Sequence, residues 1–118
     1  MNNRRLSQIS EEMRRVISDI VQNKIKDPRI PEIISISHTE VTRDLSYAKV
    51  YVQIMGDEKI KEDAIEGLNS AKGFIKKEIS KSLKLRAMPD LIFINDESLD
   101  INMKMEELIK EVNHGQVQ

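Results

Sequence analysis

The chain has 118 residues and no cysteine, so disulfides, thiolate zinc sites and thiol nucleophiles are excluded. Its four glycines are scattered, and no glycine-rich loop can be built from them to cradle a phosphate. Near-neutral acid–base groups are almost absent too: there are two histidines, His38 in an expected strand and His114 in a fraying end. Neither has a serine or carboxylate at a recognisable triad spacing, so a structural or solvated role fits both. Asp96, Glu97 and Asp100 lack the periodic oxygen ligands of a calcium loop, and turn-forming and helix-capping roles account for them. No uninterrupted apolar run approaches membrane-spanning length. The start, Met-Asn-Asn-Arg-Arg-Leu-Ser, has basic residues with no apolar segment behind them, unlike a secretory signal. These absences lead us to expect a soluble cytoplasmic chain with no catalytic residues, metal or cofactor. The length suits a single domain with one core, expected over residues 1–112 with a flexible tail at 113–118.

What is present is a marked separation of charge. The net charge is −1, yet Lys72, Lys76, Lys77, Lys81, Lys84 and Arg86 face only Glu78 between residues 72 and 86, a local +5. Residues 87–118 carry two lysines against seven carboxylates, a local −5. Local potential rather than the total steers a polyanion, although two solvated helix faces of opposite sign would read the same way. With Arg4 and Arg5, those six cations are the candidates for phosphate contacts.

The periodicities predict an α+β fold. Leu6, Ile9, Met13, Val16, Ile17, Ile20 and Ile25 form one stripe of a first helix over about 7–26, which Asp27-Pro28 stops. Glu11–Arg15 and Arg15–Asp19 are expected ion pairs on its wet side. A strand over 33–41 follows; Val41 is out of phase with Ile34 and Ile36, which a bulge near residues 38–40 would correct. A second strand over 47–55 alternates Ala48, Val50, Val52 and Ile54 with Tyr47, Lys49, Tyr51 and Gln53. The tyrosine face is open to base stacking or to ordinary cross-strand packing.

Ile60, Ala64, Leu68, Ala71, Ile75, Ile79 and Leu83 then form a long helical stripe interrupted by Gly67 and Gly73. Glycine costs roughly 1 kcal/mol against alanine inside a helix, so two of them need a reason. The change from acidic to basic character at Gly73 predicts two helices meeting at a kink over 69–73. Leu91-Ile92-Phe93-Ile94 is expected as a short buried strand, and a last helix over 99–112 carries Ile101, Met105, Leu108, Ile109 and Val112. The methionines fit core filling. A strand returning after a helical crossover pairs parallel and right-handed, giving a three-stranded mixed sheet of order 1-2-3 with helices on one face, a type II KH-like arrangement.

Asp44-Leu45-Ser46-Tyr47-Ala48-Lys49-Val50-Tyr51-Val52 resembles a hallmark of the bacterial ribosome-binding factor A family. So do Asp27-Pro28-Arg29, Ala71-Lys72-Gly73, the run Leu85-Arg86 through Pro89, Leu91 and Phe93, and the Asp96–Ser98 turn. The resemblance covers about residues 3–112. Asn102 departs from it, standing where the family often has glycine, and the chain ends at Gln118 without the long tail of some members. The resemblance implies an interhelical kink at Ala71 and Gly73 in place of the Gly-x-x-Gly clamp of conventional KH domains. It further implies a monomeric, non-catalytic factor that binds 16S rRNA on free 30S subunits during late maturation, with roles in 16S 5′-end processing and cold adaptation. A generic single-stranded RNA-binding KH module and a protein-docking domain without RNA are the alternatives.

Overall fold

The computed structural model describes residues 3–98 and 104–110. Helix α1 (Asn3–Asn23) is followed by strands β1 (Ile34–Val41) and β2 (Tyr47–Ile54), helices α2 (Glu58–Ser70) and α3 (Lys72–Ser82), and strand β3 (Asp90–Asn95). β1 pairs antiparallel with β2 and β2 pairs parallel with β3, in the order β1-β2-β3. This is the expected type II KH-like α+β arrangement. Residues 104–110 form a further helix.

The core lies between the helices and one face of the sheet. Leu6, Ile9, Met13, Ile17, Ile20 and Val21 from α1 pack with Ile34, Ile36 and Val41 of β1, with Ala48, Val50, Val52 and Ile54 of β2, and with Leu91 and Phe93 of β3. Ala64 and Leu68 of α2 and Ile75 and Ile79 of α3 complete it. Helix α1 starts earlier than the periodicity suggests, so Arg4 and Arg5 stand on its first turn. On its wet side Arg14 takes the closest contact with Glu11 (2.7 Å), Arg15 reaches Glu11 at 3.4 Å, and Asp19 instead accepts a hydrogen bond from Asn23.

The β1 bulge exists, but at Ser37: Ile36 pairs with Val52 and His38 with Tyr51. The extra residue leaves Ser37 and His38 both exposed and turns Thr39 inward with Val41. β3 is not buried throughout, because helices cover only one face of the sheet: Leu91 and Phe93 point inward while Ile92 is 37% exposed. Core filling holds for Met13 but not for Met55 or Met105, both more than half exposed, and Leu108 and Ile109 are exposed with Met105. The remainder of the expected last helix, with Ile101, Asn102, Met103 and Val112, and the tail 113–118 lie outside the described residues.

The two helical glycines have different reasons. A Cβ on Gly67 would lie 3.0 Å from Ile30 Cγ1 and 3.3 Å from Arg29 Cβ, so α2 needs glycine where the Asp27–Ile30 segment crosses it. That segment is itself held by Asp27, whose carboxylate accepts from the Arg29 backbone N–H and, bidentately, from its guanidinium. Gly73 has nothing within 4 Å of its Cβ position and sits one residue inside α3. The break between the helices falls at Ala71 (φ −91°, ψ 3°), in the sparsely allowed bridge region, whose negative φ does not call for glycine. Gly73 therefore does not make the kink. Gly67→Val should cost about 1–3 kcal/mol by overpacking. Gly73→Ala should be neutral or stabilising by up to about 1 kcal/mol. Urea unfolding of both variants checks the contrast.

Candidate nucleic-acid interface

Helix α3 is oriented by its apolar residues. Ile75 and Ile79 are fully buried, which turns Gly73, Phe74, Lys77, Ser80 and Lys81 outward. Lys72 and Lys76 lie at the flank, half-buried. Lys76 Nζ donates to Asp90 Oδ1 at 2.8 Å, and the Asp90 backbone N–H donates to Ser46 O at 2.9 Å. α3 is thereby tied to the start of β3 and to the hairpin. The Lys76 hydrogen bond, and then its charge, hold the Asp90 carboxyl below its ordinary value, with a smaller pull from Lys72.

Lys81 Nζ lies 3.2 Å from Glu78 Oε1, and Lys24 Nζ of α1 lies 3.3 Å from Glu78 Oε2. The hydrogen bond from Lys81 is the largest influence keeping Glu78 below the usual carboxylate range. Two of the six cations thus have carboxylate partners. Lys77, Lys84 and Arg86 are exposed and form no ion pair among the described residues. Arg4 and Arg5 are exposed on α1, beside the hairpin turn, where Arg43 donates to Asn3 Oδ1 at 3.3 Å. The candidate cations therefore fall into two groups on different helices, with the α3 group partly neutralised.

Ala71 closes α2 and opens α3: its N–H donates to Gly67 O and Leu68 O, and its carbonyl accepts from Ile75 N–H. Between this junction and Lys77 stands Phe74, 42% exposed, a residue outside the set of candidate cations. The signal was available, since Phe74 is one position off the Ile75–Ile79 stripe.

The uncovered face of the sheet carries Tyr47, Lys49 and Tyr51. Tyr51 packs against His38, with ring centroids 5.5 Å apart, and Ile94 is its neighbour on β3. Cross-strand packing thus accounts for Tyr51, while Tyr47 stays half exposed. Asp96 accepts a hydrogen bond from Ser37 Oγ at 2.6 Å and another from Ser98 N–H, the turn role expected of it. No group of three or more metal-ligating side chains exists among the described residues, and Asp100 and His114 lie outside them. No described helix is long and apolar enough to cross a membrane. An open groove of about 680 Å³ between α2 and β3 is lined by Glu58, Glu62, Glu66 and Phe93 among others. Its carboxylates disfavour a polyanion.

Residues 5–109 match the family model described as ribosome-binding factor A. The chain belongs to the ribosome-binding factor A family. A ribosome-binding factor A from Acetivibrio thermocellus is 48% identical over 109 residues, covering 92% of this chain and 89% of the relative. A solution structure of a Thermotoga maritima protein described as a putative ribosome binding factor A superposes with a TM-score of 0.72 at 28% identity, covering 83% of this chain and 92% of the other. A Thermus thermophilus ribosome binding factor A homology model, fitted into a cryo-EM map of a 30S complex of that factor, has the same fold. Its TM-score is 0.62 at 22% identity, covering 75% of this chain and 91% of the other. Membership explains the pattern of sequence matches: the Asp44–Val52 run is the hairpin and β2, and Ala71-Lys72-Gly73 is the helix junction.

The Asp90 carboxyl should titrate below the ordinary aspartate value of about 3.9, and Lys76→Gln should move it back up. Because the folded value is depressed, the contact's contribution to stability is present above the unfolded value and is lost as pH falls through the folded one. Carboxyl chemical shifts followed by NMR, with acid unfolding of the same two proteins, test this; identical Asp90 titration in both would rule it out.

Proposed function

We propose that this chain is a non-catalytic ribosome assembly factor that binds the free 30S subunit through 16S rRNA and assists its late maturation. The supporting observation is the set of unpaired cations Lys77, Lys84 and Arg86, on and just after α3, in a member of this family. The Thermus relative fitted into a 30S complex supports the same choice of particle. The family junction at Ala71 stands where a conventional KH domain has its Gly-x-x-Gly clamp, which disfavours the generic single-stranded RNA reading. Arg4, Arg5, Lys72, Lys76 and Lys81 add positive potential at the flanks.

As a non-catalytic factor, the protein would act by differential affinity. It binds one conformation of the immature RNA more tightly and shifts the population toward it by no more than that difference. The 16S 5′ end and growth in the cold are where such a bias matters, since misfolded RNA helices rearrange slowly at low temperature. The protein works as a monomer in the bacterial cytoplasm, where free 30S particles are found.

Replacing Lys77, Lys84 and Arg86 together with glutamine breaks no described ion pair, so the fold should persist. Affinity for free 30S subunits should fall, and the log–log salt slope should flatten by about two, because about three fewer phosphates are neutralised. Binding to intact 70S ribosomes should be weak for both proteins. Cells carrying only the variant should accumulate 16S precursor in the cold. Wild-type affinity and slope in the triple variant would place the RNA surface elsewhere.

A further inference from the structure

The chain has two phenylalanines, and they are treated differently. Phe93 is 8% exposed in the core, whereas Phe74 is 42% exposed on the first turn of α3. Phe74, Lys77 and Lys81 follow one another at spacings of three and four, so they lie along one outward stripe of the helix. Gly73 precedes them with nothing within 4 Å of where a Cβ would stand, leaving the backbone beside the ring open to close approach. Glu78 is the one acid of α3, and its carboxylate is engaged by Lys24 and Lys81.

We propose that Phe74 is a base-stacking residue: its ring takes the face of an unpaired nucleobase of the rRNA while Lys77 holds the adjacent phosphate. An apolar protein partner would need surrounding apolar surface, but the neighbours of Phe74 on the outer side of α3 are Gly73, Lys77 and the half-buried Glu78. A lone π-face among cations, beside an open backbone, is the combination that single-stranded nucleic acid engages, with stacking tolerant of base identity. The assignment rests on the RNA-binding function proposed above and adds to it a contact that phosphate chemistry does not supply.

The protein contains no tryptophan, so Phe74→Trp introduces a unique emitter at the site. The full chain is tested against free 30S subunits and against protein-free 16S rRNA. Phe74→Ala should weaken binding by about 5- to 160-fold, the range measured for removing one aromatic–base stack. Its salt slope should match wild type, because stacking releases no counterions. Phe74→Trp should bind as tightly as wild type, with its emission quenched by both RNA-containing probes. Phe74→Leu should bind like Phe74→Ala. Wild-type affinity in Phe74→Ala or Phe74→Leu, or tryptophan emission indifferent to protein-free 16S rRNA, would overturn the assignment. If the triple glutamine variant still loses affinity in that case, the RNA face stands and only the stack is wrong. If neither set of variants loses affinity, the RNA-binding face falls, and the stack with it.

Discussion

The parallel pairing of β2 with β3 is the constraint on which the remaining architecture depends. Parallel neighbours cannot be joined by a tight turn, so residues 55–89 must cross over the sheet, and they do so as α2 and α3. The crossover covers the face that carries Val50, Val52, Leu91 and Phe93, packing Ala64, Leu68, Ile75 and Ile79 on it, the side to which the right-handed rule for such connections would direct it. Once Ile75 and Ile79 are committed to that face, the helical period leaves Phe74, Lys77 and Lys81 no choice but solvent. The candidate interface is thus the outer surface of an obligatory connection, and its geometry is set by core packing rather than by the charges themselves.

Two short segments keep the crossover and the hairpin in place. In the β1–β2 turn, Thr42 Oγ1 accepts from Tyr47 N–H, and Asp44 Oδ1 accepts from Ser46 N–H and from the Thr42 hydroxyl. The Ser46 backbone N–H is the largest influence holding the Asp44 carboxyl below its usual range. The turn forces Leu45 to φ 60°, which costs a non-glycine residue roughly 1–2 kcal/mol. Burying its side chain to 2% exposure offsets this, since a buried leucine contributes about 1.5–3 kcal/mol. At the other end, the Asp27–Arg29 clamp presses Ile30 against Gly67 of α2, fixing how closely the first connection approaches the crossover.

Legibility in the sequence follows from how locally each feature is encoded. The α1 stripe and the period-2 alternation of β2 are properties of single elements, and both are legible; the stop expected at Asp27-Pro28 is not where α1 ends, since the helix closes at Asn23. The β1 bulge was readable only as a phase error between Ile36 and Val41; its location at Ser37 depends on the partner strand, because His38 must face Tyr51. The helix break was placed correctly within a few residues, but its cause was misread, since a glycine in open space and a glycine under a crossing segment look alike in one dimension. Among the candidate site residues, cationic character was visible and pairing only in part. Glu78 and Lys81 are three residues apart on one helix, so that pair was open to a local reading; that Asp90 takes Lys76 depends on where the start of β3 meets the flank of α3, which no local pattern states. The exposure of Phe74 is legible only once Ile75 and Ile79 are known to hold the buried stripe, since the residue's own apolar character points to the core.

That internal neutralisation bears on specificity. A surface with all six α3-region cations free would attract any polyanion, and its affinity would be dominated by counterion release. Asp90 and Glu78 remove Lys76 and Lys81 from that sum and leave a smaller free set beside an aromatic ring and a bare stretch of helix backbone. With a net charge of −1 for the whole chain, long-range attraction to arbitrary RNA is weak. On the proposed interface, binding strength would then come from contacts that require shape: a base in reach of Phe74, phosphates at the spacing of Lys77, Lys84 and Arg86, and a backbone able to approach Gly73. A folded ribonucleoprotein surface can present these together, whereas a random coil must pay the entropy of arranging them. On the proposed RNA face, these ion pairs would make recognition depend on the folded state of the RNA.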